Sequence, residues 1–79
     1  MLFLIEYDRS IGHIVTMSTF NNSERQRADE SRLELELDLN RRGIEREVVI
    51  LQAATEKAIR RTHRRYFEDL AELAKVYSG

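Results

Sequence analysis

The segment from Thr55 to Tyr77 constrains the fold most, because it reads as one amphipathic helix with two unlike faces. Ile59, His63, Tyr66, Leu70, Leu73 and Tyr77 recur at helical spacing along one side. Lys57, Arg60, Arg61, Arg64 and Arg65 crowd the other. A stripe of that kind is stable only when an apolar surface receives it, so the residues before Thr55 must supply that surface.

They read as three strands and a helix. Leu2 to Asp8 is short and rich in Leu, Ile, Phe and Tyr, and a turn at Arg9-Ser10-Ile11-Gly12 follows it. Gly12 takes a positive φ at little steric cost, which closes a hairpin onto the β-branched stretch Ile14 to Phe20. Ser23 followed by Gln26 fits a capping box, so a helix is expected from Glu24 to about Arg42, with Gly43 at its C-terminal end. Arg32 with Glu36 and Asp38 with Arg42 stand at ion-pair spacing on that helix. Leu33 to Leu39 alternates Leu with acidic residues, which is a strand pattern. Leu and Glu favour helix, and no β-branched or aromatic residue interrupts them, so helix is the expectation. Ala28, Leu35 and Leu39 then share one face, and Leu33 and Leu37 lie opposite as a candidate partner-binding stripe. Arg46 to Ala53, with Val48 to Leu51 unbroken, reads as a third strand covered on both faces.

The expected fold is therefore α+β in the order β-β-α-β-α, a single small domain over residues 1–79. The first strand should lie in the middle of a three-stranded mixed sheet, with two helices packed on one face. The opposite face would then be bare and apolar, and an exposed apolar patch of that size marks an interface. A homodimer follows as the expectation, with Leu2, Leu4, Val15 and Met17 as candidate interface residues. Length points the same way: a chain of 79 residues buries only about 60% of its unfolded surface, and small domains usually add a disulfide, a metal or a partner. The chain has no cysteine and only His13 and His63 as imidazoles, so self-association is the supplement left.

Composition narrows the function classes. At 42% hydrophobic and 34% charged, the chain is too apolar for a disordered segment and too charged for a membrane protein. Met1 to Ile5 has no basic stretch before it, and Glu6 and Asp8 follow at once, so a cytoplasmic protein is expected rather than a secreted one. The formal charge is −1 and the pI about 6.1, unlike nucleic-acid-binding domains, whose pI often exceeds about 9. Lys57, Arg60, Arg61, Arg64 and Arg65 nevertheless form a local candidate for nucleic-acid contact, the alternative to a protein-binding role. His63, inside the apolar stripe, is a candidate pH-sensitive residue, set against the plainer role of a packed histidine.

Catalysis has little material. Glu6, Tyr7, His13, His63 and Tyr66 are the available acid–base groups, and Glu6 and Asp8 are expected to face solvent at a strand end. There is no nucleophile elbow, phosphate loop or zinc motif, and no cofactor or metal is expected. The β-β-α-β-α order recurs in unrelated small α+β families, including some nucleases and RNA-binding domains, and order alone does not set function. The expectation is an interaction or accessory protein working through homodimerisation or by binding another protein.

Overall fold

The structure is a computed structural model, and it describes residues 1–67. The elements run β1 (Leu2–Asp8), β2 (His13–Phe20), α1 (Arg25–Arg41), β3 (Glu47–Gln52), α2 (Glu56–Thr62) and α3 (Arg64–Phe67). Leu70, Leu73 and Tyr77 of the anticipated stripe lie outside the described residues.

The sheet order is β2-β1-β3, with β1 in the centre as the apolar run of both parities requires. Both ladders are antiparallel, from Leu2↔Phe20 to Asp8↔His13 on one side and from Leu2↔Gln52 to Tyr7↔Glu47 on the other. The sheet is not mixed, contrary to expectation. β2 and β3 do run the same way, but β1 lies between them, so no parallel ladder forms. Gly12 closes the hairpin at φ 65 and donates its N–H to the Asp8 carbonyl at 2.8 Å. Between Glu6 and Tyr7 the register slips by one residue, and Val15 is the extra residue on β2.

The capping pair ahead of α1 lies two residues earlier in the chain than Ser23 and Gln26, at Asn21 and Glu24. The Glu24 carboxylate reaches back to the Asn21 N–H at 3.0 Å, a 3-10 turn spans Asn22–Glu24, and the α-helix follows. Leu33 to Leu39 is helical throughout, and Gly43 sits at φ 66 after the last turn. Arg42 meets Asp38 at 2.8 Å and Arg32 meets Glu36 at 3.8 Å, as their spacing implied. Ala28 and Leu39 are buried, and Leu33 and Leu37 are exposed.

The second helix is not continuous. Thr55 caps α2 by accepting the Ala58 N–H at 3.1 Å. α2 stops at Thr62, whose hydroxyl donates to the Ala58 carbonyl and lies 2.9 Å from His63 Nδ1. Threonine bonding back into its own helix bends it, and His63 leaves helical geometry at φ −123, ψ 52. α3 restarts in a new direction, which carries Tyr66 back to the sheet.

Side chains alternate across a strand, so β1 sends Phe3, Ile5 and Tyr7 to one face and Leu2, Leu4 and Glu6 to the other. All six are buried. Phe3, Ile5 and Tyr7 form a core with Ile59 of α2 and Tyr66 of α3, flanked by Ile14, Met17, Val49 and Leu51. Tyr7 and Tyr66 meet edge to face, with centroids 5.1 Å apart at 86°, a geometry worth about 0.5–1.5 kcal/mol beyond the area buried. Leu2 and Leu4 lie on the opposite face with Ile50 and Val48 of β3, under α1, which touches both strands and buries Ala28 and Leu39.

The helices thus cover opposite faces, and the anticipated bare face does not exist. A central strand with six buried residues of both parities needs a roof on each side, and α1 and α2–α3 supply one each. The anticipated interface set is split as a result. Leu2 and Leu4 are core residues under α1, Met17 packs under α2–α3, and Val15 is exposed at the bulge.

This arrangement separates the leucines of α1 sharply. Leu39→Ala is expected to cost about 2–4 kcal/mol by loss of burial and cavity formation, while Leu37→Ala on the outer face should stay within about 0.5 kcal/mol. Urea unfolding of both variants measures the contrast, and equal losses would contradict the placement of α1.

Candidate functional site

Polar chemistry gathers at one end of the sheet, where β1 finishes, β3 starts and α3 returns. An open cleft of about 650 Å³ there is lined by Asp8, Arg9, Ser10, Glu45, Arg46 and Glu47. Strand alternation places Glu6 below it on the α1 face, at only 5% exposure, rather than in solvent as expected. The bulge aligns Thr16 with Glu6, and the Thr16 hydroxyl donates to Glu6 Oε1 at 3.2 Å. Arg46 brings Nε to 3.3 Å from Glu6 Oε2, without the alignment of a hydrogen bond, and Nη1 to 3.4 Å from Asp8 Oδ2. A carboxylate this buried is stable only with such a partner, since an unpaired buried charge costs several kcal/mol.

A second group lies on the other face. Glu47 Oε1 accepts from Arg65 Nη2 at 2.7 Å and from the Tyr66 hydroxyl at 3.0 Å, and Glu47 Oε2 lies 3.4 Å from Arg9 Nε. Arg65 also donates to the Tyr66 hydroxyl, and its guanidinium stacks 4.3 Å over the Tyr66 ring. The Tyr7 hydroxyl donates to the Arg65 carbonyl at 3.3 Å. These contacts tie α3 to the sheet edge.

The electrostatics favour charge pairing over proton transfer. Burial acts to raise the Glu47 pKa, but hydrogen bonds from Tyr66, Arg9 and Arg65 outweigh it and leave the carboxyl below its ordinary value of 4.5. The Ser10 hydroxyl, donating to Asp8 Oδ1 at 2.6 Å, lowers the Asp8 pKa, and the Ser10 N–H and Arg46 add to it. Burial and the neighbouring Glu47 push the Tyr66 phenol up from 10.0. A general base at neutral pH needs a carboxyl raised toward 7, and both shifted carboxyls move the other way. Glu6, Asp8 and Glu47 face Arg9, Arg46 and Arg65, three anions against three cations, so these charges are paired within the protein, and Glu45 on the cleft wall leaves one negative charge in excess.

The residues singled out from the sequence are scattered. Tyr7 and Tyr66 meet in the core, His13 is exposed at the start of β2, and His63 is half-buried at the helix break rather than inside the stripe. The break also divides the basic face. Arg60 pairs with Glu56 at 2.9 Å and stacks 4.8 Å over Phe67, while Arg65 turns to Glu47 on β3. These arginines therefore meet aromatic rings, and their acidic partners come from α2 and β3. Glu68, Asp69 and Glu72, the acidic residues that follow along the chain, lie outside the described residues. Lys57, Arg61 and Arg64 are exposed.

Arg9, Arg46 and Glu47 belong to the cleft, and sequence reasoning did not find them. Alternation along β1 and β3 was the available signal, since it places Glu6 and Asp8 near residues 46 to 48 once β1 is central. Among the described residues, no group of three or more His, Asp or Glu is gathered to hold a metal, and no helix is long and apolar enough to cross a membrane. No known protein family, characterised protein or solved structure matches the chain at a significant level.

The lowered Glu47 pKa has a stability consequence of definite sign. A carboxyl depressed on folding adds stability above its unfolded pKa, and that stability is lost as pH falls through the folded value. Glu47→Gln is expected to cost about 1–2 kcal/mol at pH 7. The gap from the parent should close below the ordinary value of 4.5. Urea midpoints across the acid range measure this, and a gap independent of pH would refute the charge assignment.

Proposed function

We propose that the protein works by associating with protein chains, in the simplest case a second copy of itself, as a small accessory or regulatory subunit. The supporting observation is where its unsatisfied surface lies. The arginines of the cleft are engaged by Glu6, Asp8 and Glu47, whereas large apolar side chains stand in solvent at Ile11 and Val15 on the hairpin and at Leu33 (56% exposed) and Leu37 (51% exposed) on α1. Leu33 and Leu37 lie one turn apart on the outer side of a helix whose inner side covers the sheet, so they stand outside the core. Apolar surface grouped in this way favours a protein partner over a polar ligand.

Static light scattering tests the simplest form. The mass should rise above 9.3 kDa as concentration climbs from about 10 µM to about 500 µM, the range that reveals micromolar to sub-millimolar affinity. A constant 9.3 kDa would overturn self-association. Leu33→Gln with Leu37→Gln then separates the two surfaces: loss of the larger species assigns it to α1, and its survival assigns it to the hairpin.

A second reading rests on Lys57, Arg60, Arg61 and Arg64, which are all exposed on α2 and the start of α3. As a nucleic-acid module the protein would bind mixed-sequence DNA or RNA with an affinity that falls steeply with salt. Replacing Arg60, Arg61 and Arg64 with Gln should abolish that binding in a fluorescence anisotropy titration. Unchanged binding would remove the helix from consideration, and no binding by the parent at low salt would remove the reading.

A further inference from the structure

β2 is an outer strand, and it is the barest part of the sheet: among the described residues nothing pairs with its outer side. None of its residues, His13 to Phe20, carries a formal charge at neutral pH with His13 neutral, in a chain that is 34% charged. Outer strands are normally guarded by charged side chains, proline or a bulge, because a free row of backbone N–H and C=O groups templates another strand. The bulge at Val15 guards only the first part of β2. From Thr16 to Phe20 the ladder to β1 is regular, so about 17 Å of unguarded edge remains. The other outer strand differs. β3 is preceded by Glu45 and Arg46 and begins at Glu47, and its apolar residues are half-buried beneath the helices.

We infer that Thr16–Phe20 pairs antiparallel with the same segment of a second copy, about a two-fold axis at Ser18, joining two three-stranded sheets into one of six. Ser18 then faces its own counterpart, Met17 faces Thr19 of the other copy, and Thr16 faces Phe20. A β-branched residue opposite an aromatic one is a favourable cross-strand pair, and no like charges meet. The uncharged edge offers a charged partner strand nothing to complement, whereas it matches itself. Because the contact is isologous it closes at two copies, and the charges at the start of β3 oppose further growth.

This inference rests on the association reading, and one set of variants separates the two. Ser18 is exposed, so Ser18→Lys and Ser18→Glu should each leave the circular dichroism and urea midpoint of the monomer intact. Each variant alone brings like charges together at the axis and should weaken the dimer at least about tenfold in light scattering. An equimolar mixture of the two should restore it as a Lys–Glu heterodimer. A parent that never exceeds 9.3 kDa overturns both readings. A parent dimer that survives both single substitutions, or variants that stay monomeric when mixed, overturns the β2 edge. In those cases association through Leu33 and Leu37 stands or falls on the α1 variant instead.

Discussion

The structure depends on β1 being buried on both faces. Six consecutive side chains, Leu2 to Tyr7, are withdrawn from water, and burying large apolar side chains contributes about 1.5–3 kcal/mol each. In a short chain that contribution is reachable only if β1 is central, because an outer strand lacks a neighbour on one side. Centrality sets the β2-β1-β3 order, and the order makes both ladders antiparallel. Burial on both faces then requires helices above and below, so α1 and α2–α3 are drawn to opposite sides.

The same constraint produces the buried Glu6. Alternation along β1 puts it on the α1 face behind Leu2 and Leu4, and its charge is met by Arg46 and the Thr16 hydroxyl. On the other face Glu47 holds Arg65 and Tyr66, which brings the chain back to the sheet after the turn at His63. The two groups form an internally bonded end of the sheet. The Asp8 and Glu47 carboxyls are held below their ordinary values by the groups that donate to them, which suits fixing an element in place better than moving protons. Among the described residues, the surface also carries the outer leucines of α1, Ile11 and Val15, and an uncharged strand edge.

Local patterns were readable where neighbours along the chain decide the outcome. The hairpin with Gly12, the Thr55 cap, Gly43 after α1 and the division of Ala28 and Leu39 from Leu33 and Leu37 all follow from spacing and propensity. The alternating Leu33–Leu39 segment resolved as helix because its residue types outweighed its period. The mixed sheet, the two helices on one face and the solvent-facing Glu6 were misread, and so were three further features. Continuous amphipathic spacing through Thr55–Tyr77 hid the break at His63, where the Thr62 hydroxyl bonds back to Ala58 and Glu47 holds Arg65 and Tyr66 of α3. The cap of α1 moved to Asn21 and Glu24 because the chain leaves β2 in a 3-10 turn. The candidate site was legible only in part: Glu6 and Asp8 were noticed, but Arg46 and Glu47 carried no signal until strand pairing placed them alongside.

By itself, the sequence determined the three strands, the first helix and the α+β class, because hydrophobic period, capping residues and turn glycines act over a few residues. It also determined that β1 is central, since only a middle strand hides apolar side chains of both parities. The tertiary structure alone decided which face each helix covers, that Leu2 and Leu4 are core rather than surface, and which charges meet at the end of the sheet. Those outcomes depend on the path of the chain between elements and on contacts between residues far apart along it, such as Tyr7 with Arg65 and Glu6 with Arg46, and no local pattern encodes a distance of that kind.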